Sequence, residues 1–307
     1  MQGQLDALVA KTVEDADSAV KPYSPWAVTA RHFLSNRLAV VGLIASLALL
    51  GVAICGPLIA PHDPIMQFDS GLSATGAPLP PDSHFVLGTD TLGRDVESRL
   101  IYGARISLLI GTLANGLAMA IGVTFGALAG YVGKAVATII MRLTDVMMSF
   151  PLILLLIALA VVLQPSIGTI VVVIAIGGWT GPARLIHGEV LSLKEKDFIL
   201  AAHALGVSDL GILARHILPH LVPSIIVWTM LGIAPTILTE GALSYLGVGV
   251  QPPTPSWGTV ISEGQGMVLD APWLILYPSL ALMVTVVSFN LVGDGLRDAM
   301  FAGSGRA

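Results

Sequence analysis

Apolar runs long enough to cross a membrane recur along this chain, and no other feature limits its fold as much. Six can be drawn: Leu38–Ala60, Ile106–Tyr131, Phe150–Leu163, Ile167–Ile186, Leu221–Leu246 and Trp273–Val292. A helix needs about 20 residues to cross about 30 Å of hydrocarbon, and only helices or closed barrels satisfy their backbone groups there. The third run is short, so its helix is expected to begin further back. Pro151 suits the first turn of that helix and Pro165 the break after it. Of the 307 residues only 11% are charged and 54% are hydrophobic, where a soluble domain carries about 25% charged residues. So few charges cannot cover a water-soluble globule of this size. The expected fold is all-α and integral to the membrane, with about six transmembrane helices.

The distribution of Lys and Arg sets an expected orientation. With the N-terminus inside, the inner segments hold twelve of them: Lys11, Lys21, Arg31, Arg37, Lys134, Arg142, Arg184, Lys194, Lys196, Arg215, Arg297 and Arg306. The outer segments hold Arg94, Arg99 and Arg105. Both termini are therefore expected in the cytoplasm. This divides the chain into a cytoplasmic tail at 1–37, a first transmembrane helix at 38–60 and an external lobe at 61–105. A five-helix core at 106–294 and a cytoplasmic tail at 295–307 follow. The lobe is rich in Pro and Asp, and a surface helix is expected near its end. Inside, Lys134–Ser149 is expected as an interfacial or elbow helix, with Arg142 and Asp145 three residues apart on one face. The first apolar run is too long for the core of a cleaved signal and is expected to be retained.

The most informative stretch runs from 188 to 220. It is unusually long for a connection between spans and reads as helix, break, helix. Phe198–Leu205 is a plausible helix, Gly206 can supply a positive φ at its end, and Ser208 or Asp209 can cap the next one. Pro219 is expected to interrupt the chain before the fifth span. The result is a cytoplasmic knuckle on which Ala201, Ala202 and Gly206 would let a partner pack closely.

This stretch resembles the EAA loop of ABC importer permeases: Ala201-Ala202, Gly206 and Leu218-Pro219 stand at the family's spacing. It departs from that loop at Leu200, which replaces the motif's glutamate, and at His220, where relatives often carry Asn. Four further strings are similar to the dipeptide, oligopeptide and nickel branch of that family. They are Leu87–Asp95 with Ser98-Arg99 and Gly103–Leu108, Met141–Asp145, Gln251–Gly258 and Asn290–Asp298. Together they resemble the C permease subunit of a dipeptide importer over residues 30 to 300. The resemblance implies a type I importer permease whose 188–220 loop forms a coupling helix seated on an ATPase. Its coupling residues would be Ala201, Ala202, Leu205, Gly206, Ser208, Asp209, Leu218 and Pro219. It also implies a second homologous permease, two ATPase subunits and an extracytoplasmic substrate-binding protein as partners, with ATP and Mg held by the ATPases and no cofactor in this chain. A phosphate-binding loop is lacking: Gly133-Lys134 is followed by Ala135, without the upstream glycine.

Other residues carry weaker signals. Gly122, Gly126 and Gly130 recur every four residues and would admit a close helix neighbour. Glu240 lies inside the fifth span, where a carboxylate is costly; it is expected to be protonated, hydrogen-bonded between helices, or on the translocation path. Asp90, Arg94 and Asp95 would contact the external binding protein or hold the lobe in shape. The net charge of −5 does not suggest a nucleic-acid partner. Cys55 stands alone, and the seven histidines show no tight ligand pair on one outer face, so neither a disulfide nor a metal site is expected. No nucleophile–base constellation is recognisable, and an enzyme is not expected. The substrate alternatives are dipeptides, longer peptides or nickel chelates. A stand-alone secondary transporter is the rival reading; it would call for charged or unwound elements near the midplane in matching halves, where only Glu240 is suitable.

Overall fold

The computed structural model describes residues 25–301. Twelve α-helices follow one another among them, and no strand occurs. Helix α1 is Pro25–Ser35 and α2 is Arg37–Ile59. Asn36 separates the two and caps α2, its side chain accepting from the N–H groups of Leu38 and Ala39. After an irregular lobe, α3 runs over Val96–Tyr131, capped by Asp95, which accepts from the N–H of Ser98. Then come α4 (Lys134–Ser149), α5 (Leu152–Val162), α6 (Ile167–Gly178) and α7 (Thr180–Lys194). The short α8 (Asp197–Ala204) and α9 (Asp209–Ile212) precede α10 (Leu218–Tyr245), α11 (Trp257–Gly264) and α12 (Trp273–Phe301).

Four helical stretches are long and apolar enough to cross a membrane: Arg37–Ile59, Val96–Tyr131, Asp209–Tyr245 and Trp273–Phe301. Two bent pairs raise the number to six. One joins α4 and α5 at 93°, the other α6 and α7 at 43°. Phe150 and Pro151 make the first bend, because the residue before a proline is held extended; Phe150 has ψ 141°. The third span is therefore completed by an elbow, not by a longer straight helix. Its 11 residues end at Val162, and Ser166 caps α6 by accepting from the N–H of Thr169.

Several sequence boundaries move. Residues 25–35 of the expected N-terminal tail are helix α1, which packs on α12 through Phe33. Of the tail at 295–307, residues up to Phe301 continue α12; 1–24 and 302–307 lie outside the described residues. The expected surface helix at the end of the lobe is instead the first ten residues of α3, and Val96, Ser98 and Arg99 there are buried. Charge hid this extension: Glu97, Arg99 and Arg105 dilute the hydropathy of a helix that is continuous. At about 1.5 Å per residue, 36 residues make α3 about 54 Å long, well over the hydrocarbon thickness. It reaches from the lobe to the knuckle and defines the two ends of the bundle.

The helices meet through small residues. Gly122, Gly126 and Gly130 on α3 face α7 so closely that a Cβ on each would lie 2.5–2.6 Å from Pro182, from the Ala183 carbonyl, and from Val190. Such spacing leaves no room for a methyl group. At Gly42 of α2, a Cβ would meet Leu291 of α12 at 2.6 Å. One apolar core, with Trp257, Ile237 and Phe289, lies toward the lobe; another, with Ile199, Ile212 and Leu221, lies toward the knuckle.

Candidate functional site: the helical knuckle and the opposite lobe

The knuckle comprises α8, the turn at 205–208, α9 and the turn of π-helix at Leu213–Ile217 that leads into α10. Helix α8 ends in a Schellman arrangement: the Val207 N–H donates to the Ala202 carbonyl and the Gly206 N–H to the His203 carbonyl. Gly206 takes φ +78°, which a residue with a Cβ adopts only at a cost. The Ser208 hydroxyl then caps α9 by accepting from the Gly211 N–H. The expected interruption at Pro219 is absent. Pro219 is the second residue of α10, and the turn of π-helix at Leu213–Ile217 runs into it without a break. The stretch Asp209–Tyr245 is consequently one long element.

The inward side of the knuckle is bolted to three long helices. Ile199, Ala202, Ile212 and Ile217 are buried against Ala127 and Tyr131 of α3, Ile186 and Val190 of α7, and Leu221 of α10. Ala202 therefore packs inward and is not free to receive a partner, which corrects its expected place on the outer face. Polar contacts reinforce the joint. The Tyr131 hydroxyl donates to Asp209 at 3.1 Å, and Lys194 donates to the Tyr131 carbonyl at 2.9 Å with its ammonium over the ring. Asp209, with Ser208 at the cap of α9, thus also ties the knuckle to α3.

The outward side carries exposed leucines among polar residues such as His203, Ser208 and Arg215. Leu205 is 84% and Leu210 76% exposed, and Leu200 is exposed beside Ala201. Leu218 is half-buried and Pro219 exposed at the root of α10. Phe198 stacks on His220, ring centroids 4.9 Å apart, and closes the base of α8. Sequence reading passed over Leu210 and Leu200 as partner-facing residues. The signal available was a leucine on each side of Gly206 in a segment too polar to be a span.

At the lobe end the arrangement is reversed. Asp90, Arg94 and Asp95 are all buried, so their side chains give no surface to an external partner in this conformation. Arg94 donates to Asp90 at 2.6 Å and to Glu263 at 2.7 Å; Arg99 donates to the same Glu263 oxygen at 2.7 Å. Arg99 is fully buried, and its Nε lies 3.3 Å from Asp90. Two guanidiniums and two carboxylates balance. They clamp the lobe and the start of α3 to α11, in the long connection between α10 and α12. Asp95 accepts from Ser98 and lies 3.3 Å from the His62 ring.

Glu240, on α10, is fully buried and accepts from Ser107 of α3 at 2.8 Å and from Ser244 at 2.7 Å. Ser107 in turn accepts from the Trp257 N–H at 3.2 Å. The carboxyl group joins α3, α10 and the start of α11. On α4, Arg142 sits 4.0 Å from Asp145, whereas Arg184 of α7 makes the close pair with Asp145. That contact ties the elbow to α7.

Comparison with known proteins places these features in a family. Residues 122–302 match the model described as binding-protein-dependent transport system inner membrane component. Residues 24–81 match that of the N-terminal transmembrane domain of oligopeptide transport permease C. The dipeptide transport system permease protein DppC of Bacillus subtilis (strain 168) is 38% identical, covering 93% of this chain and 88% of that relative. The oligopeptide transport system permease protein OppC of the same organism is 39% identical, covering 91% and 90%. The glutathione transport system permease protein GsiD of Pectobacterium atrosepticum is 41% identical, covering 90% and 91%. Among solved structures, a chain of the MetNI methionine ABC transporter in its inward facing conformations superposes with a TM-score of 0.55. It is 17% identical and covers 65% of this chain and 95% of that one, a likeness of fold.

Proposed function

Because the chain belongs to the inner membrane components of binding-protein-dependent transport systems, we propose that it carries short peptides, dipeptides foremost, as one permease of a pair. In this reading two ATPase subunits drive transport from the knuckle end, and a substrate-binding protein delivers peptide at the lobe end. The chain itself holds no cofactor; ATP and Mg belong to the ATPases. The excess of Lys and Arg toward the knuckle end supports a cytoplasmic knuckle and cytoplasmic termini. The names of the relatives support a peptide substrate.

The observation that carries the mechanism is the split character of the knuckle. Its inner face is packed against α3, α7 and α10, and its outer face presents Leu200, Leu205 and Leu210. An ATPase gripping those leucines would move the three helices as one body, since packed cores shift as units. ATP-driven closure of the ATPase pair would then reorient the bundle against its partner permease, opening the path to the lobe side, and hydrolysis would reset it. The test replaces Leu205 and Leu210 by Asp in the complete complex. Neither leucine is in the core, so the subunit should still insert, while the ATPases dissociate on purification and uptake into proteoliposomes falls at least tenfold. Uptake at the wild-type rate in that variant, or in Gly206→Trp, rules the coupling role out.

A further inference from the structure

Between α7, α10 and α12, in the knuckle half of the bundle, lies a cavity of about 400 Å³. Its walls include Glu189 of α7, Ser224 and Trp228 of α10, and Arg297 of α12. That volume falls in the range of small-molecule sites, about 300–1,000 Å³. Arg297 belongs to the string Asn290–Asp298, for which coupling supplies no role. Among the described residues neither Glu189 nor Arg297 forms an ion pair. Ser224 of α10 stands on the same cavity wall region as Glu189. Glu189 belongs to the bent pair α6–α7, one of the candidate spans. A carboxylate there is costly against lipid and is expected to face protein, water or a ligand.

A carboxylate and, toward the exposed end of α12, a guanidinium stand on two walls of one cavity with no ion pair to either among the described residues, and so match a ligand carrying both charges. We propose that this cavity binds the two charged ends of a short peptide: Glu189 takes the terminal ammonium and Arg297 the terminal carboxylate. The guanidinium fork suits a planar carboxylate through two parallel N–H donations. Trp228, half-exposed, offers its indole face to the peptide's side chains, which are variable and often apolar. Trp228 also lines a second cavity of about 200 Å³, nearer the middle of the bundle, with Asn115, Thr236 and Thr239. The two cavities thus follow one face of α10 toward the knuckle. The assignment rests on the peptide-permease reading above and adds the end-group chemistry of its substrate.

The test uses the complete complex with the binding protein omitted, so that protein's own selectivity does not enter. Equilibrium binding of labelled Gly-Phe is compared with that of N-acetyl-Gly-Phe and Gly-Phe-amide, in wild type, Glu189→Gln and Arg297→Gln. Only complexes that elute intact are measured; where Glu189→Gln does not assemble, Glu189→Ala replaces it. A hydrogen bond to a charged group sets an expected loss of about tenfold for each blocked end in wild type. Glu189→Gln should lose about tenfold for the free dipeptide and no longer distinguish the N-acetyl form. Arg297→Gln should do the same for the amide. Equal loss for all three ligands, or no loss, overturns the assignment. Phosphatidylethanolamine retained by wild type but not by either variant, with no peptide bound, gives the cavity to lipid and overturns it too. Uptake by the wild-type complex, measured with binding protein and ATP restored, tests the permease reading separately; its absence would refute that reading whatever the variants do.

Discussion

The two ends of this bundle bury opposite kinds of residue. At the lobe end, Asp90, Arg94, Arg99 and Glu263 turn inward and satisfy one another. At the knuckle end, leucines turn outward while tyrosine, lysine and aspartate tie the joint to α3. Polarity alone would have turned the charged side chains of the lobe toward a partner, whereas they face one another. A charged segment that neutralises itself is a lock within the chain, whereas a tip of exposed leucines on a rigid, polar-jointed mount calls for another protein. The same inversion separates the roles expected of substitutions: at the lobe they act on stability, and at the knuckle tip they act on assembly.

The sharpest way to break this contrast is Arg99→Ala. It leaves Asp90 and Glu263 with one guanidinium between them in a buried site, and removing one partner of such a cluster costs about 3–5 kcal/mol. Heat denaturation of the solubilised chain should show that loss, whereas Leu210→Asp should leave the denaturation curve in place. Equal destabilisation by both would erase the distinction between lock and docking tip. Next in size is Gly126→Leu on the helix that links the ends. A Cβ there meets the Ala183 carbonyl at 2.5 Å, and overpacking costs about 1–3 kcal/mol. Gly116→Ala on the same helix, where a Cβ meets nothing within 4 Å, should be neutral or slightly stabilising. A smaller effect is expected for Gly206→Ala: φ +78° costs an L-residue about 1 kcal/mol. Hydrogen exchange should rise around 202–211 and stay unchanged in the lobe. Smallest is Arg184→Gln, which removes a half-exposed pair with Asp145 and should cost about 0.5 kcal/mol, within the scatter of the same denaturation measurement.

The long apolar stretches were legible because hydropathy integrates over about 20 residues, and a few charges rarely mask a run of that length. They masked helix ends at Glu97, Arg99 and Arg105 of α3 and at Asp294, Arg297 and Asp298 of α12. The positive φ of Gly206 and the cap at Ser208 were legible because both are local, set by one residue and its near neighbours in sequence. Pro219 misled for the opposite reason. A proline forbids an N–H donor, but whether that breaks a helix depends on which turn it occupies, and the π-helical turn before it moved the boundary. Ala202 was misplaced because a small residue reads the same on either face of a two-turn helix.

By itself, then, the sequence determined a six-run helical membrane chain, the break at Gly206 and the order of its motifs, because chain length, hydropathy and local backbone preference need no partner. Only the tertiary structure decided that Glu263 meets Arg94 and Arg99, separated from them in sequence by 169 and 164 positions. It alone brought Glu189, Trp228 and Arg297 to one cavity from three helices. Charge pairing and cavity shape depend on distances of a few ångströms between elements, and those distances arise only when the helices have packed.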